Sequence, residues 1–180
     1  MKPHFIDFEA SSLSWHSYPI EVAWNMENGN IESCLISPKH VPEWTDWDPE
    51  AQKLHGITRS EILAQGESPS RVCEKIEQAL SGKRVYSDNP DFDSMWMMRL
   101  FDAVGKSYPN INMLHLDSLL IDTLCPDTSG RIEGFVEILK LKSLTRACMP
   151  IQHRAGWDVR YLTELWESVK GAHSQKVGNF

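Results

Sequence analysis

Asp7 and Glu9 stand two residues apart in Pro3-His-Phe-Ile-Asp-Phe-Glu9, a stretch that reads as a strand. A period of two sends both carboxylates to one face, together with Phe5. No basic residue in the flanking strand pairs with them, so burying them beside Phe5, Ile6 and Phe8 is costly unless a cation compensates. The plainer alternative is a strand end whose acids face water. Asp93 falls in the first turn of a helix opened by Asn89-Pro90, just past the C-terminal end of a strand. Ligands of α/β sheets gather at that end. An acid there also complements the helix dipole, a role open to Asp88 and Asp91 too. His153 and Asp158 are five residues apart, which on one helix leaves them roughly 140° apart. They converge only if His153 lies in the loop after Pro150 and Asp158 in the first turns of the helix that follows. A loop imidazole, titrating near neutrality, can then serve as general base.

Elements must hold these positions. Residues 3–9, Pro19–Met26 and Ile31–Ser37 read as three strands, the last two joined at Asn28-Gly29 as a hairpin. Helical patterns follow over Pro49–Leu54, Ser60–Gln65 and Pro69–Leu80, then a strand over Arg84–Ser87. Asn89 is the expected N-cap and Pro90 the first residue of a helix to about Val104, with a core face of Phe92, Met95, Trp96, Leu100 and Ala103. Leu119–Asp122 reads as a further strand, Ile132–Ala147 and Trp157–Lys170 as helices, and 171–180 as a frayed tail. Three antiparallel strands followed by strands alternating with helices predict a mixed-sheet α/β domain.

Composition narrows the classes. With 180 residues, 41% hydrophobic and 24% charged, the chain suits one globular domain. It shows no leader and no run of about 20 apolar residues, so the expected location is the cytoplasm, away from membrane. Cys34, Cys73, Cys125 and Cys148 form no CxxC pair, which argues for reduced packing residues rather than a disulfide or zinc framework. The net charge of -7 is uneven: residues 1–127 hold 10 basic and 20 acidic side chains, residues 128–180 hold 8 and 5. Arg131, Lys140, Lys142, Arg146, Arg154 and Arg160 could form a modest basic surface or a solvated helix face. The balance disfavours strong non-specific duplex binding, since that needs many phosphate contacts. Trp15, Trp44 and Trp47 either stack on bases or anchor loops. His4, His16, His40, His115 and His173 have no convergent partners and read as structural or surface residues.

Taken together, the three acidic segments resemble the DEDDh exonucleases, the family of RNase T, oligoribonuclease and the proofreading subunit of bacterial DNA polymerase III. Asp7-Phe-Glu9 resembles the first motif, Asn89-Pro-Asp-Phe-Asp93 the second, and His153-Arg-Ala-Gly-Trp-Asp158 the third, that of the histidine branch. His55-Gly-Ile-Thr58 and Asp122-Thr123 are similar to further family segments, and the likeness spans residues 4 to about 166. Asp88 departs from the usual histidine and Pro90 from the usual alanine.

The resemblance implies a ribonuclease H-like fold, a five-stranded mixed sheet flanked by helices, as one exonuclease domain over residues 1–170. It implies a metal-dependent 3′–5′ exonuclease releasing 5′-nucleotides from the 3′ end of single-stranded DNA or RNA. Two divalent ions, Mg²⁺ or Mn²⁺, would be bridged by Asp7, one completed by Glu9 and Asp158 and the other held by Asp93, with His153 as base. Hard divalent ions want oxygen ligands, in keeping with a carboxylate site. Leu13 falls where the family wedges an apolar side chain against the terminal base, or else is a core leucine of the first loop. Asn89 would contact substrate. A homodimer is among the assemblies the family uses. A phosphodiesterase for very short oligonucleotides and a non-catalytic nucleic-acid-binding module of the same fold are the competing readings.

Overall fold

A computed structural model describes residues 2–127, 130–149 and 152–178. Its strands are β1 (His4–Ala10), β2 (Pro19–Asn25), β3 (Ile31–Leu35), β4 (Arg84–Ser87) and β5 (Asn112–His115). They form one sheet in the order β3-β2-β1-β4-β5. The β1–β2 and β2–β3 pairs are antiparallel; β1–β4 and β4–β5 are parallel. This is the ribonuclease H-like mixed sheet expected, with β1 at its centre.

The helices are α1 (Pro49–His55), α2 (Arg59–Gln65), α3 (Pro69–Leu80), α4 (Pro90–Asp102), α5 (Leu116–Leu124), α6 (Arg131–Cys148) and α7 (Ala155–Gly178). Their starts follow local chemistry. Asp48 and Ser68 accept backbone N–H bonds ahead of Pro49 and Pro69, and Thr58 with Glu61 makes a reciprocal capping box on α2. The alternation of β1 divides the interior. Ile6, Phe8 and Ala10 join the core beneath α3 and α4, whereas Phe5 joins the core built with α5, α6 and α7. Asp7 and Glu9, in phase with Phe5, therefore point to the α7 side.

The strand expected at Leu119–Asp122 is instead helix, inside α5, and the fifth strand lies earlier, at Asn112–His115. Leu116, Leu120, Ile121 and Leu124 are all buried, and that spacing is helical. A short apolar run does not by itself distinguish a strand from a buried helical turn. His115 fixes the boundary, its Nδ1 accepting from the Asp117 N–H at 3.1 Å. The last helix also outruns its expected end at Lys170, continuing to Gly178. Val169 and Ala172 pack on the second core on either side of Gly171, and a His173 ring nitrogen lies 3.3 Å from the Leu124 carbonyl oxygen. Tertiary contacts thus override the glycine stop. Of the residues read as a tail, 179 and 180 lie outside the described residues.

Gly134 sets how closely α6 approaches α5. A Cβ there would fall 2.6 Å from Cys125 Sγ and 2.8 Å from Ile121 Cδ1.

Candidate active site

The sheet brings its functional side chains to the carboxyl ends of β1 and β4. These two strands pair in parallel only at His4–Val85 and Phe5–Tyr86, then part. Asp7 and Glu9 occupy the stretch of β1 beyond that pairing. β4 ends at Ser87, the chain turns through Asp88 and Asn89, and α4 starts at Pro90. Asp93 is carried into the gap in the first turn of α4, with its N–H bonded to the Asn89 carbonyl at 3.1 Å. Its carboxylate, 2% exposed, accepts from the Ser87 hydroxyl. Asn89 is at the N-cap position, but its side chain makes no cap bond and is exposed.

Asp158 enters from the other side, in the first turn of α7, and His153 lies in the loop just before that helix. His153 is near enough for its charge to act on the Asp158 carboxylate. The loop-then-helix arrangement, the only one in which these two residues could converge, is the one adopted. Residues 150 and 151, where that loop begins, lie outside the described residues.

The acids fall into two groups that share Asp7. Oxygens of Asp7, Glu9 and Asp158 all lie within 4.8 Å of one another, and so do those of Asp7, Asp88 and Asp93. Asp88 is the member that sequence reading missed as a ligand, taking it as a departure from the usual histidine and as a helix-dipole acid. Its position immediately after a strand parallel to β1 was the available signal.

Electrostatics records what this crowding costs. Burial, reinforced by Asp93, Asp158, Glu9 and Asp88, pushes the Asp7 carboxyl well above the usual carboxylate range. Glu9 is pushed up to about 8, mainly by burial and then by Asp158 and Glu21. Asp93 is likewise raised to about 8 by burial, against the pull of its Ser87 hydrogen bond. Burial raises Asp158 as well, opposed by Arg146, whose guanidinium lies 3.6 Å from its carboxylate and 3.7 Å above the Tyr161 ring. An all-oxygen, all-anionic donor set that resists ionising together is the set a hard divalent cation satisfies.

A second buried acid shapes the site without joining it. Glu21 faces Glu9 across the β1–β2 pair and is 3% exposed. Its carboxylate accepts from both Nε and Nη2 of Arg154 at 3.0 and 2.8 Å, from the Ala155 N–H at 3.0 Å and from the Ser33 hydroxyl at 3.0 Å. It caps the start of α7 and clamps the residue that follows His153. Neither Glu21 nor this role of Arg154 was visible beforehand, because the pair is 133 residues apart.

Leu13 is 74% exposed and is not a core residue. With Ser14, Trp15, Asp91, Phe92 and Met95 it lines a cleft of about 330 Å³ beside the first turn of α4. That loop is tied to α4: Trp96 Nε1 donates to the Ser17 hydroxyl at 3.1 Å, and Arg99 donates to the carbonyls of Ser17 and Trp15. Trp15 stays 84% exposed, whereas Trp44 stacks on Tyr18 and Trp47 bonds Gln52, so those two anchor loops. Of the basic residues singled out in the sequence, Arg131, Lys140, Lys142, Arg146 and Arg154 pair with Asp122, Glu137, Asp117, Asp158 and Glu21, and the Arg160 guanidinium lies over the Trp157 ring. All four cysteines are free thiols, two of them buried. Among the described residues no helix is long and apolar enough to cross a membrane.

The architecture is a ribonuclease H-like fold, and comparison with solved structures agrees. Escherichia coli exonuclease I in complex with a dT13 oligonucleotide superposes with a TM-score of 0.65 at 18% identity, over 98% of this chain and 42% of that one. Exonuclease I from Methylocaldum szegediense gives a TM-score of 0.62 at 19% identity, again over 98% and 42%. A product-bound exonuclease I gives 0.63 at 17%, over 99% and 46%. The chain thus spans less than half the length of these proteins, and at this identity the likeness is one of fold. The sequence matches no family profile and no curated protein.

Proposed function

We propose that this chain is a metal-dependent exonuclease acting on the 3′ end of single-stranded nucleic acid. The observation that carries the reading is the pair of carboxylate groups meeting at Asp7. The donor set fits Mg²⁺ or Mn²⁺: one ion would take Asp7, Glu9 and Asp158, and a second would take Asp7 and Asp93 with Asp88 beside them. Such a pair supplies positive charge that stabilises the attacking and leaving oxygens of an in-line displacement.

The protein's own groups do the rest. His153 takes a proton from the attacking water, whose oxygen bonds to phosphorus while the bond to the 3′-oxygen breaks and that oxygen acquires a proton. A 5′-nucleotide leaves. Glu21 and Arg154 hold the loop that carries His153, and the Leu13–Trp15–Phe92 cleft receives the terminal nucleoside. The oligonucleotide complexes of the exonuclease I neighbours and the zinc-bound form of one of them support the same reading.

The test is hydrolysis of 5′-labelled single-stranded RNA and DNA, as 20-mers and trimers, with Mn²⁺, with EDTA, and with the Asp7→Asn variant. Stepwise 3′ shortening that requires metal and Asp7 is expected, and His153→Ala should lower the rate by roughly 10²–10⁴ with metal binding retained. Strand binding with no cleavage under any condition would move the assignment to a binding module. Full turnover by Asp7→Asn would remove the metal site.

A further inference from the structure

Arg146 stands at the rim of the acidic site with most of its hydrogen-bonding capacity unused. It lies in the last turn of α6, where a cation complements the helix dipole. Two guanidinium groups bear on the carboxylates of the site, Arg154 on Glu9 and Arg146 on Asp158. They are held differently. Arg154 gives Nε and Nη2 to Glu21 at 3.0 and 2.8 Å and is committed to the clamp. Arg146 makes one ion contact, 3.6 Å from Nη1 to an Asp158 oxygen, which is longer than a hydrogen bond of this kind. Its side chain is 34% exposed, so a ligand can reach it. The guanidinium carbon lies 3.7 Å over the ring of Tyr161, which is itself buried. A stacked guanidinium keeps its N–H donors in its own plane, directed outward past the ring. The stacking sets where the group sits and leaves its donor edge free.

The partner of Arg146 has a second claim on it. Asp158 is one of the three carboxylates whose oxygens converge with those of Asp7 and Glu9 within 4.8 Å. An oxygen that ligates a divalent cation has little charge left for Arg146, and the same cation repels a guanidinium a few ångströms away. A 3.6 Å contact without a hydrogen bond gives way under those conditions. The freed edge fits a tetrahedral anion, because the guanidinium fork matches two oxygens of a phosphate. Two divalent ions leave the five carboxylates of the site one positive charge short of neutrality, and a phosphodiester adds a negative one. Arg146 supplies a positive charge at that rim.

We propose that Arg146 binds a substrate phosphate: it pairs with Asp158 in the metal-free site and turns to a phosphate of the strand once Asp158 serves as a ligand. The inference rests on the nuclease reading and adds a residue to it. Two consequences of opposite sign follow. Removing Arg146 ends the competition for Asp158, so a divalent ion binds more tightly. Removing it also takes a charged contact from the strand, so substrate binds more weakly. A cation that only complements the dipole of α6 moves neither quantity, and one needed for the shape of the site weakens both.

Calorimetric titration with Mn²⁺ and steady-state hydrolysis of a 5′-labelled trimer, DNA or RNA as the wild type prefers, test it on Arg146→Met and Arg146→Lys. Arg146→Met should bind Mn²⁺ about threefold more tightly, with an unchanged far-UV spectrum. Its KM for the trimer should rise about tenfold or more, as loss of a charged hydrogen bond requires, with kcat changed less. Arg146→Lys keeps the charge but not the fork, and should bind Mn²⁺ as the wild type does while recovering only part of the KM. A trimer whose 3′ linkage is a neutral methylphosphonate should inhibit wild type and Arg146→Met equally, because the charge that Arg146 meets is gone. Unchanged or weaker Mn²⁺ binding by Arg146→Met overturns the pairing with Asp158. An unchanged KM in a system where the wild type cleaves, or a methylphosphonate that still separates the two proteins, overturns the phosphate contact and leaves the nuclease reading standing. A wild type that cleaves no strand overturns the nuclease reading and the phosphate contact together.

Discussion

Replacing Glu21 by alanine should damage the site from behind. The substitution deletes four hydrogen bonds to a 3% exposed carboxylate. Orphaning a fully buried ion-pair partner costs about 3–5 kcal/mol. Arg154, however, keeps 40% of its side chain exposed and can turn to water, so that full penalty does not apply. The Ala155 N–H cannot escape: it is buried at the start of α7, and an unsatisfied donor there costs about 1–3 kcal/mol. That bond is also the helix cap, so it is counted once, and the expected destabilisation is about 1–3 kcal/mol. One effect opposes this, since Glu21 helps to raise Glu9 and its removal relieves that repulsion. Glu21→Gln keeps an acceptor for Ala155 and should lose about half as much. Urea unfolding measures both, and single-turnover hydrolysis measures the displacement of His153, for which roughly a hundredfold loss is expected. If Glu21→Ala unfolded within 0.5 kcal/mol of wild type and cleaved at the normal rate, the clamp would not be what holds the loop.

Three further outcomes follow from the same geometry. Asp7, Glu9 and Asp93 have folded-state pKa values raised above their unfolded ones, so between about pH 4.5 and 8 the folded state binds more protons, and metal-free stability should fall as pH rises through that window. Mn²⁺ should reverse the trend and raise Tm most at the alkaline end, and Asp7→Asn should stabilise the metal-free protein while abolishing the metal-induced shift; flat metal-free melting from pH 5 to 8 would contradict the crowding. Leu13→Ala with Trp15→Ala should raise KM severalfold with kcat and Tm little changed, because both side chains are already exposed; a fall in kcat alone would place the cleft elsewhere in the reaction. Gly134→Ala should destabilise by about 1–3 kcal/mol, since the new methyl falls within 3 Å of Cys125 and Ile121; denaturant midpoints equal to wild type would show that α6 shifts freely.

What could be read from sequence was local. The alternation in β1 places Asp7 and Glu9 on one face, and proline after a capping residue marks the starts of α1, α3 and α4. Those signals lie within a few residues of the side chains they position. Leu119–Asp122 failed because four apolar residues carry no period of their own; Leu116 and Leu124, further out, decide for helix. Glu21 and Arg154 failed differently: each reads as an ordinary charged residue until β2 and the start of α7 are brought together.

Asp88 joins both lessons into a statement about the site. In sequence it stands where the motif resemblance leads one to expect a histidine, beside the N-cap position, and the dipole of α4 suffices to explain it. In space it adds a negative charge to Asp7 and Asp93, two groups that burial already drives toward protonation. A neutral or cationic side chain there would ease the crowding, whereas an acid deepens it. The fold keeps an arrangement that repels itself, stabilised elsewhere by two packed cores and by the Glu21–Arg154 clamp. Such an arrangement is coherent only if its charge is cancelled in the working state. The fifth carboxylate therefore strengthens, rather than perturbs, the case for divalent cations at the end of β1.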